Sequence, residues 1–459
     1  MLYDFIILEK DRNIPLYRQI YLSVRQAIEN GNLQKGTKLP SIRKLSNDLN
    51  VSKTTITGAY EQLCVEGYIK NKPQSGYYVE AQFENKPSIA KTPEIIEKIG
   101  QKYFEYDFSG KSIDEKIINI NEWKKYVKEV LNQNYLLTSY GEPQGEQQLR
   151  KALQKYSLGT RSVNTTADNI VVGAGTQPLL YLLCSLIGIN KRVAMESSSY
   201  VQSELVFKSF GYNINYFESD KYGATIESID KISPDIILIN PNFTSDNGAN
   251  MPVTRRLELI NWAKNHNALI IEDDYNGELR YSTHPIPCVQ NKDKDNTVYL
   301  GSFSKVLLPS VRISYMVLPD KYIKKYSKIK HTINQTASKT EQLALAKYID
   351  YGKIDIHLRK ARRIYLEKSK LMLHCINCYF KEKVDIQFYE TSLYVAIKLK
   401  DSIDIEKASS LLNKNSISFM FFDDDKKILG LSYSGISENK IENGIKIISE
   451  IIYSKAKRS

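Results

Sequence analysis

Apolar residues recur at helical spacing near the start of the chain: Leu16, Ile20, Val24 and Ala27 or Ile28 fall within residues 15–30, with Gly31 as a stop. A second apolar face, Ile42, Leu45 and Leu49, spans residues 41–49, where Pro40-Ser41 opens the segment and the Ser41 hydroxyl is placed to cap free amides. The third, Ile56, Tyr60 and Leu63, runs through residues 53–66 behind Ser52 and ends at Gly67. Alternating stretches at 68–72 and 77–79 flank Gln74-Ser75-Gly76 and read as a small hairpin. Three helices followed by a hairpin predict a winged helix-turn-helix over residues 1–80.

Residues 81–106 are polar, contain Pro87 and Pro93, and show only a weak helical pattern at 94–102, so they read as a linker. From there the pattern changes. Short apolar runs at 170–172, 192–195, 236–239, 269–271, 298–300 and 313–318 alternate with helical stretches such as 254–267. That alternation predicts an α/β domain over residues 107–459, with a mainly parallel central sheet covered by helices. Beyond about Lys330 helix predominates, and residues 386–398 and 427–434 read as strands of a small C-terminal α+β lobe.

Composition adds limits. A chain of 459 residues exceeds what one core usually serves. It has no run of eighteen apolar residues, and Asp4 stands where a signal peptide would need basic residues, so we expect a cytoplasmic protein with no membrane partner. The net charge of +12 suits acidic partners. Five scattered cysteines fit a reducing compartment, and Cys375-Ile-Asn-Cys378 lacks a second pair and falls on a helix predicted from near His357, which favours packing over metal or redox use.

Two groups of residues carry candidate chemistry. On the second helix of a helix-turn-helix the N-terminal side chains face base edges, which selects Ser52, Lys53, Thr54 and Thr55. Arg43 is placed to reach a phosphate or base, and Gly76 at the wing lets backbone approach the minor groove beside Lys70 and Lys72. In the second group, Lys305 ends Val-Tyr-Leu-Gly-Ser-Phe-Ser-Lys and follows Ile-Ile-Glu-Asp-Asp-Tyr at 270–275. An amine at a strand-to-loop junction forms an imine with an aldehyde, and a buried acid upstream holds a pyridine ring protonated, which points to pyridoxal 5'-phosphate (PLP). Gly175, Thr176 and Gln177 join a strand to an apolar helix and offer amides to a phosphate, with Ser302, Ser304 and Arg312 as further donors. Asp273 is assigned to the ring nitrogen, Tyr275 to the phenolate oxygen, Tyr200 to stacking on the ring, and Tyr140 to a phosphate across a dimer interface.

Pro40-Ser41-x-Arg43, Val51-Ser52-Lys53-Thr54-Thr55 and Gly67-Tyr68-Ile69 resemble the GntR family of bacterial regulators, although Lys53 stands where arginine is usual. The cofactor motifs, in their order, resemble fold-type I aminotransferases. Taken with Asp107-Phe108, Trp123, Arg150, Arg255-Arg256 and Arg280-Tyr281, the chain from Pro15 nearly to its end resembles a MocR/GabR-type regulator, including its PdxR-like members. The resemblance implies a head-to-tail homodimer whose aminotransferase-like domain senses a ligand and repositions two heads on double-stranded operator DNA. It also exposes departures. Gly430 occupies the position of the family's carboxylate-binding arginine, Gln202 that of a second arginine in GABA-responsive relatives, and Phe243-Thr-Ser-Asp-Asn-Gly248 replaces the usual His-Gln-x-Pro-Thr-Gly turn. A retained cofactor pocket without carboxylate arginines points to PLP itself as effector, and the resemblance to PdxR-like members implies control of vitamin B6 synthesis or salvage. The alternative is an amine or amino acid effector that exchanges onto PLP, with Lys426, Lys427 or Arg280 replacing the clamp. A working aminotransferase is the third reading, and it is disfavoured because turnover needs the substrate held with its Cα–H bond over the ring face. No residue is therefore assigned a catalytic role, and no metal site is expected.

Overall fold

The computed structural model describes residues 5–6, 8, 14–81, 104–197, 201–242, 250–281, 286–389, 393–401, 403–423 and 427–455. Contacts divide the chain into two units, Met1–Lys102 and Tyr103–Ser459.

In the first unit the helices are Leu16–Glu29, Ile42–Asp48 and Lys53–Val65. Serine caps set the starts of the second and third: the Ser41 hydroxyl accepts from the Lys44 amide at 3.2 Å and the Ser52 hydroxyl from the Thr55 amide at 3.1 Å. Ile20, Val24, Leu45, Ile56, Tyr60 and Leu63 are buried together, each contributing about 1.5–3 kcal/mol relative to exposure. Strands Ile69–Lys72 and Gly76–Val79 pair antiparallel from Ile69 opposite Val79 to Lys72 opposite Gly76, so Gly76 closes the hairpin from within a strand. Its φ of +106° explains the glycine.

The second unit is built on a seven-stranded sheet. In spatial order its strands are Ile170–Gly173, Ser314–Val317, Thr297–Ser302, Leu269–Asp274, Ile236–Ile239, Arg192–Met195 and Asn213–Tyr216. Ser314–Val317 runs antiparallel to both neighbours, and the other pairs are parallel. The continuous apolar runs are strands buried on both faces. Asn213–Tyr216 was not singled out in the sequence because it is a half-exposed edge strand bearing two asparagines. Leu269–Asp274 extends three residues past its apolar run, carrying the acids into the sheet.

Lys353–Phe380 is a helix of 28 residues that starts four residues before His357 and carries Cys375 buried and Cys378 exposed. The segment 386–398, read as one strand, is two: Val384–Tyr389 and Tyr394–Leu399 pair antiparallel, and Leu393, with a φ of +57°, precedes the second. With Ile428–Ser432 and Phe421–Asp423 they form the four-stranded sheet of the small lobe. Tyr106–Phe108 pairs in parallel with Ile417–Phe419, anchoring the start of the second unit on that lobe. No helix among the described residues is long and apolar enough to cross a membrane.

Candidate functional site

Alternation along Leu269–Asp274 sorts the acids by face. Glu272 accepts the amides of Val289 at 2.9 Å and Gln290 at 3.0 Å. Asp274, on the same face, accepts from Arg161 Nε at 2.5 Å, Tyr299 at 2.9 Å, Asn242 Nδ2 at 2.9 Å and the Gly277 amide at 3.0 Å. Arg161 is only 1% exposed, and its other nitrogens reach the Ile286 carbonyl and Asn242 Oδ1. Every residue of the strand is buried except Asp273, which keeps some solvent access on the opposite face. Burial, then the Asp274 charge, pushes its carboxyl up to about 7. No cation faces Asp273 among the described residues, so a protonated ring nitrogen there would restore the carboxylate. Burial, then the Asp273 charge, also raises the phenol of Tyr275, two residues on.

Lys305 lies just past the Thr297–Ser302 strand. Its Nζ donates to the Gly110 carbonyl. Burial lowers the amine's pKa, with the charge of Asp107 opposing the shift. Ser302, opposite Ser314 in the sheet, accepts the Ser314 hydroxyl at 3.0 Å and the Ser304 amide at 3.3 Å. Gly175, with φ +101°, caps the helix Thr176–Ile187, whose first turn holds Thr176 and Gln177. Arg312 adopts a left-handed conformation, φ +53°, and its guanidinium stands over Gly175: a Cβ there would lie 2.8 Å from Nη2. Free helix-start amides and a guanidinium over a side-chain-free position make a phosphate cradle. These donors, Asp273 and Lys305 fit the three polar ends of PLP.

Tyr140 is fully exposed in the single chain. Tyr200 and the 243–248 segment lie outside the described residues, and Gln202 is exposed on the helix Val201–Ser209. A Cβ at Gly430 would meet Phe421 Cε1 at 2.4 Å, so the Phe421 ring fills the space that an arginine side chain would need to leave the backbone. Lys427 and Arg280 are half-buried, and Lys426 is outside the described residues.

Asp107, Gly110, Arg161, Asn242 and Phe421 had no assigned role in the sequence. Asp274 was recoverable from strand alternation. The others reach the site through long-range packing that leaves no local pattern.

Of the residues that the sequence assigned to DNA, Arg43, Lys53 and Thr54 are exposed. The Ser52 hydroxyl lies 2.7 Å from both the Thr54 and Thr55 hydroxyls, so the cap ties these side chains together. At the wing, Lys70 is exposed, while Lys72 and Lys38 lie 4.7 and 5.7 Å from the Tyr78 ring centroid. The basic winged helix and the site around Lys305 together define a DNA-binding regulator that carries an aminotransferase-type, PLP-binding domain.

Residues 16–79 match the bacterial regulatory proteins of the gntR family, and residues 108–420 match aminotransferase class I and II. The chain is 33% identical over 453 residues to the uncharacterized HTH-type transcriptional regulator YdeL of Bacillus subtilis, covering 96% of this chain and 97% of that one. It is 26% identical to the probable rhizopine catabolism regulatory protein MocR of Rhizobium meliloti, over 96% and 94% of the two chains. Identity is also 26% to the HTH-type pyridoxine biosynthesis transcriptional regulator PdxR of Corynebacterium glutamicum, over 77% of each. A kynurenine aminotransferase from Pyrococcus horikoshii, solved in complex with PMP, superposes with a TM-score of 0.68 at 23% identity, over 78% of this chain and 92% of that one. The protein belongs to the MocR-type transcriptional regulators, in which a GntR-type helix-turn-helix is joined to an aminotransferase class I and II domain.

Proposed function

We propose that PLP is the signal this regulator reads, and that its arrival at the second unit changes the affinity of the winged helices for operator DNA. The carrying observation is a cofactor site beside a closed carboxylate position. Lys305, Asp273, Tyr275, Gly175, Thr176, Gln177, Ser302, Ser304 and Arg312 supply the donors and charges that PLP needs, whereas Gly430 lies under the Phe421 ring. A charge-assisted bond to a carboxylate contributes about 1.5–3 kcal/mol, and a bidentate arginine makes two, so amino acids lose their main anchor. When bound, PLP supplies an electrophilic aldehyde and an electron-withdrawing ring. Lys305 takes the aldehyde, Asp273 keeps the ring nitrogen protonated, Tyr275 and Tyr200 contact the ring, and Arg312 with the helix-start amides neutralises the phosphate. A substrate without its carboxylate anchor is poorly held for proton abstraction, so the domain senses and does not turn over efficiently.

In this reading residues 1–80 bind double-stranded operator DNA through Arg43, Ser52, Lys53, Thr54, Thr55 and Gly76. Residues 81–106 link them to the effector domain at 107–459, and the protein acts in the cytoplasm as a head-to-tail homodimer. Full exposure of Tyr140 supports its reaching a partner's phosphate. The PdxR relative is named for pyridoxine biosynthesis, which supports control of vitamin B6 synthesis here.

The test is a titration of PLP-free protein with PLP, following visible absorbance and operator binding together, and then addition of amines and amino acids. A shift in operator affinity on PLP alone, with no spectral response to amino acids, is the expected result. A spectrum that moves only with a particular amine makes that amine the effector, and release of a keto product makes the protein an enzyme.

A further inference from the structure

Lys305 reaches beyond its own lobe. Its loop leaves the seven-stranded sheet, yet its Nζ hydrogen-bonds the carbonyl of Gly110, in the turn that follows the Tyr106–Phe108 strand. That turn belongs to the small lobe. Tyr106–Phe108 is zipped to Ile417–Phe419, the Tyr106 amide donates to the Ser416 carbonyl at 3.1 Å, and a Cβ on Gly110 would lie 3.0 Å from Ser432. The same stretch begins directly after residues 82–103, which join the two units in sequence. The amine therefore ties the main sheet to the part of the small lobe where the connection from the DNA-binding unit arrives.

Asp107 shapes this tie. Its carboxylate accepts the Ser109 amide at 3.0 Å, the Ser112 hydroxyl at 3.1 Å and the Ser418 hydroxyl at 2.5 Å, fixing both ends of the turn around Gly110. Burial works against that carboxylate, but the bonds from Ser109, Ser418 and Ser112 outweigh it and hold its pKa below the ordinary value. The carboxylate's charge favours the protonated, hydrogen-donating form of Lys305.

We propose that Asp107 is a positioning residue that holds the Gly110 carbonyl on Lys305 in the PLP-free protein, and that cofactor capture by Lys305 breaks this latch and releases the 104–112 segment. The inference rests on the reading that PLP is the signal, and it names the route by which the signal leaves the site. For capture, Lys305 first gives up a proton to solvent. The neutral amine then forms a C=N bond to the aldehyde carbon, and the aldehyde oxygen leaves as water with both amine hydrogens. The donors of the Gly110 bond are lost in that step, so the bound and free states differ in one tie between the lobes. A ligand moves a conformational equilibrium only through such a difference.

Hydrogen exchange on the full-length protein tests the latch. Adding PLP to wild type should speed amide exchange in 104–112 about tenfold. In Lys305→Ala the segment should exchange rapidly whether or not PLP is present, and operator affinity should match that of PLP-loaded wild type. Asp107→Asn should loosen 104–112 and move the pH profile of PLP loading to lower pH, because the amine loses the charge that favours its protonation; a purely structural role would leave that profile in place. Slow exchange in Lys305→Ala, or an unmoved loading profile in Asp107→Asn, overturns the proposal. If PLP changes operator affinity while exchange in 104–112 stays constant, the latch is wrong and the effector reading survives. If PLP loosens 104–112 without altering operator affinity, the latch stands and the effector reading fails.

Discussion

Asp273 and Asp274 are neighbours with opposite surroundings. Asp274 is surrounded by Arg161, Asn242, Tyr299 and the Gly277 amide, whereas Asp273 faces the site with its carboxyl raised to about 7. A carboxyl raised in the folded state stabilises the protein fully below its unfolded value of about 4, and that contribution is lost as pH rises through the folded value. Asp273→Asn should therefore raise the melting temperature of PLP-free protein at pH 8 and leave it unchanged near pH 4. A gain of equal size at both pH values would mean that Asp273 is not held protonated. Arg161→Met leaves Asp274 buried without its cation and should cost about 3–5 kcal/mol in denaturant unfolding. Lys305→Ala should abolish the visible absorbance of added PLP while keeping the circular dichroism of the wild type. Sequence motifs pointed to Lys305, Asp273 and Gly175, because imine chemistry, ring protonation and phosphate binding each need a particular residue type next to a strand end. They could not reveal the bonds of Arg161 to Asp274 or of Asp107 to Ser418, which join residues more than a hundred positions apart.

At the scale of elements, periodicity and capping chemistry located the three helices of the first unit to within a residue or two, since Ser41 and Ser52 mark helix starts by a local hydrogen bond. Strand ends were less visible. The acids of Leu269–Asp274 mask its extension, whereas the polar Glu390-Thr391-Ser392 between Tyr389 and Leu393 was a break that a reading of 386–398 as one strand passed over. The helix Lys53–Val65 presents Lys53 and Thr54 to solvent at its N-terminal turn. Lys53→Ala and Arg43→Ala should each weaken operator binding about tenfold at fixed salt and leave PLP binding alone. A side chain that contacts phosphate should also lower the slope of log affinity against log salt by about 1 when removed. Normal DNA binding by both variants would place the interface on another face.

For the whole molecule, the alternation of apolar runs with helices announced a sheet covered by helices, but strand order and the antiparallel Ser314–Val317 strand depend on non-local pairing that no window of sequence contains. A dimer whose two heads sit at a set separation would read two half-sites at fixed spacing. Inserting five base pairs between them turns one half-site by about half a helical turn, and gel-shift affinity should then fall toward that of a single half-site. Unchanged affinity would mean that the heads move independently.

The ring lying over Gly430 also bears on how this lineage can change. A glycine codon is one base from an arginine codon, so the carboxylate clamp looks a single step away. Yet a Cβ at that position would lie 2.4 Å from the Phe421 ring. Filling so tight a contact costs about 1–3 kcal/mol before any ligand is gained. An arginine at this position would therefore need a compensating change at Phe421, so that two substitutions in the small lobe, one on each of two paired strands, stand between this chain and a carboxylate anchor there.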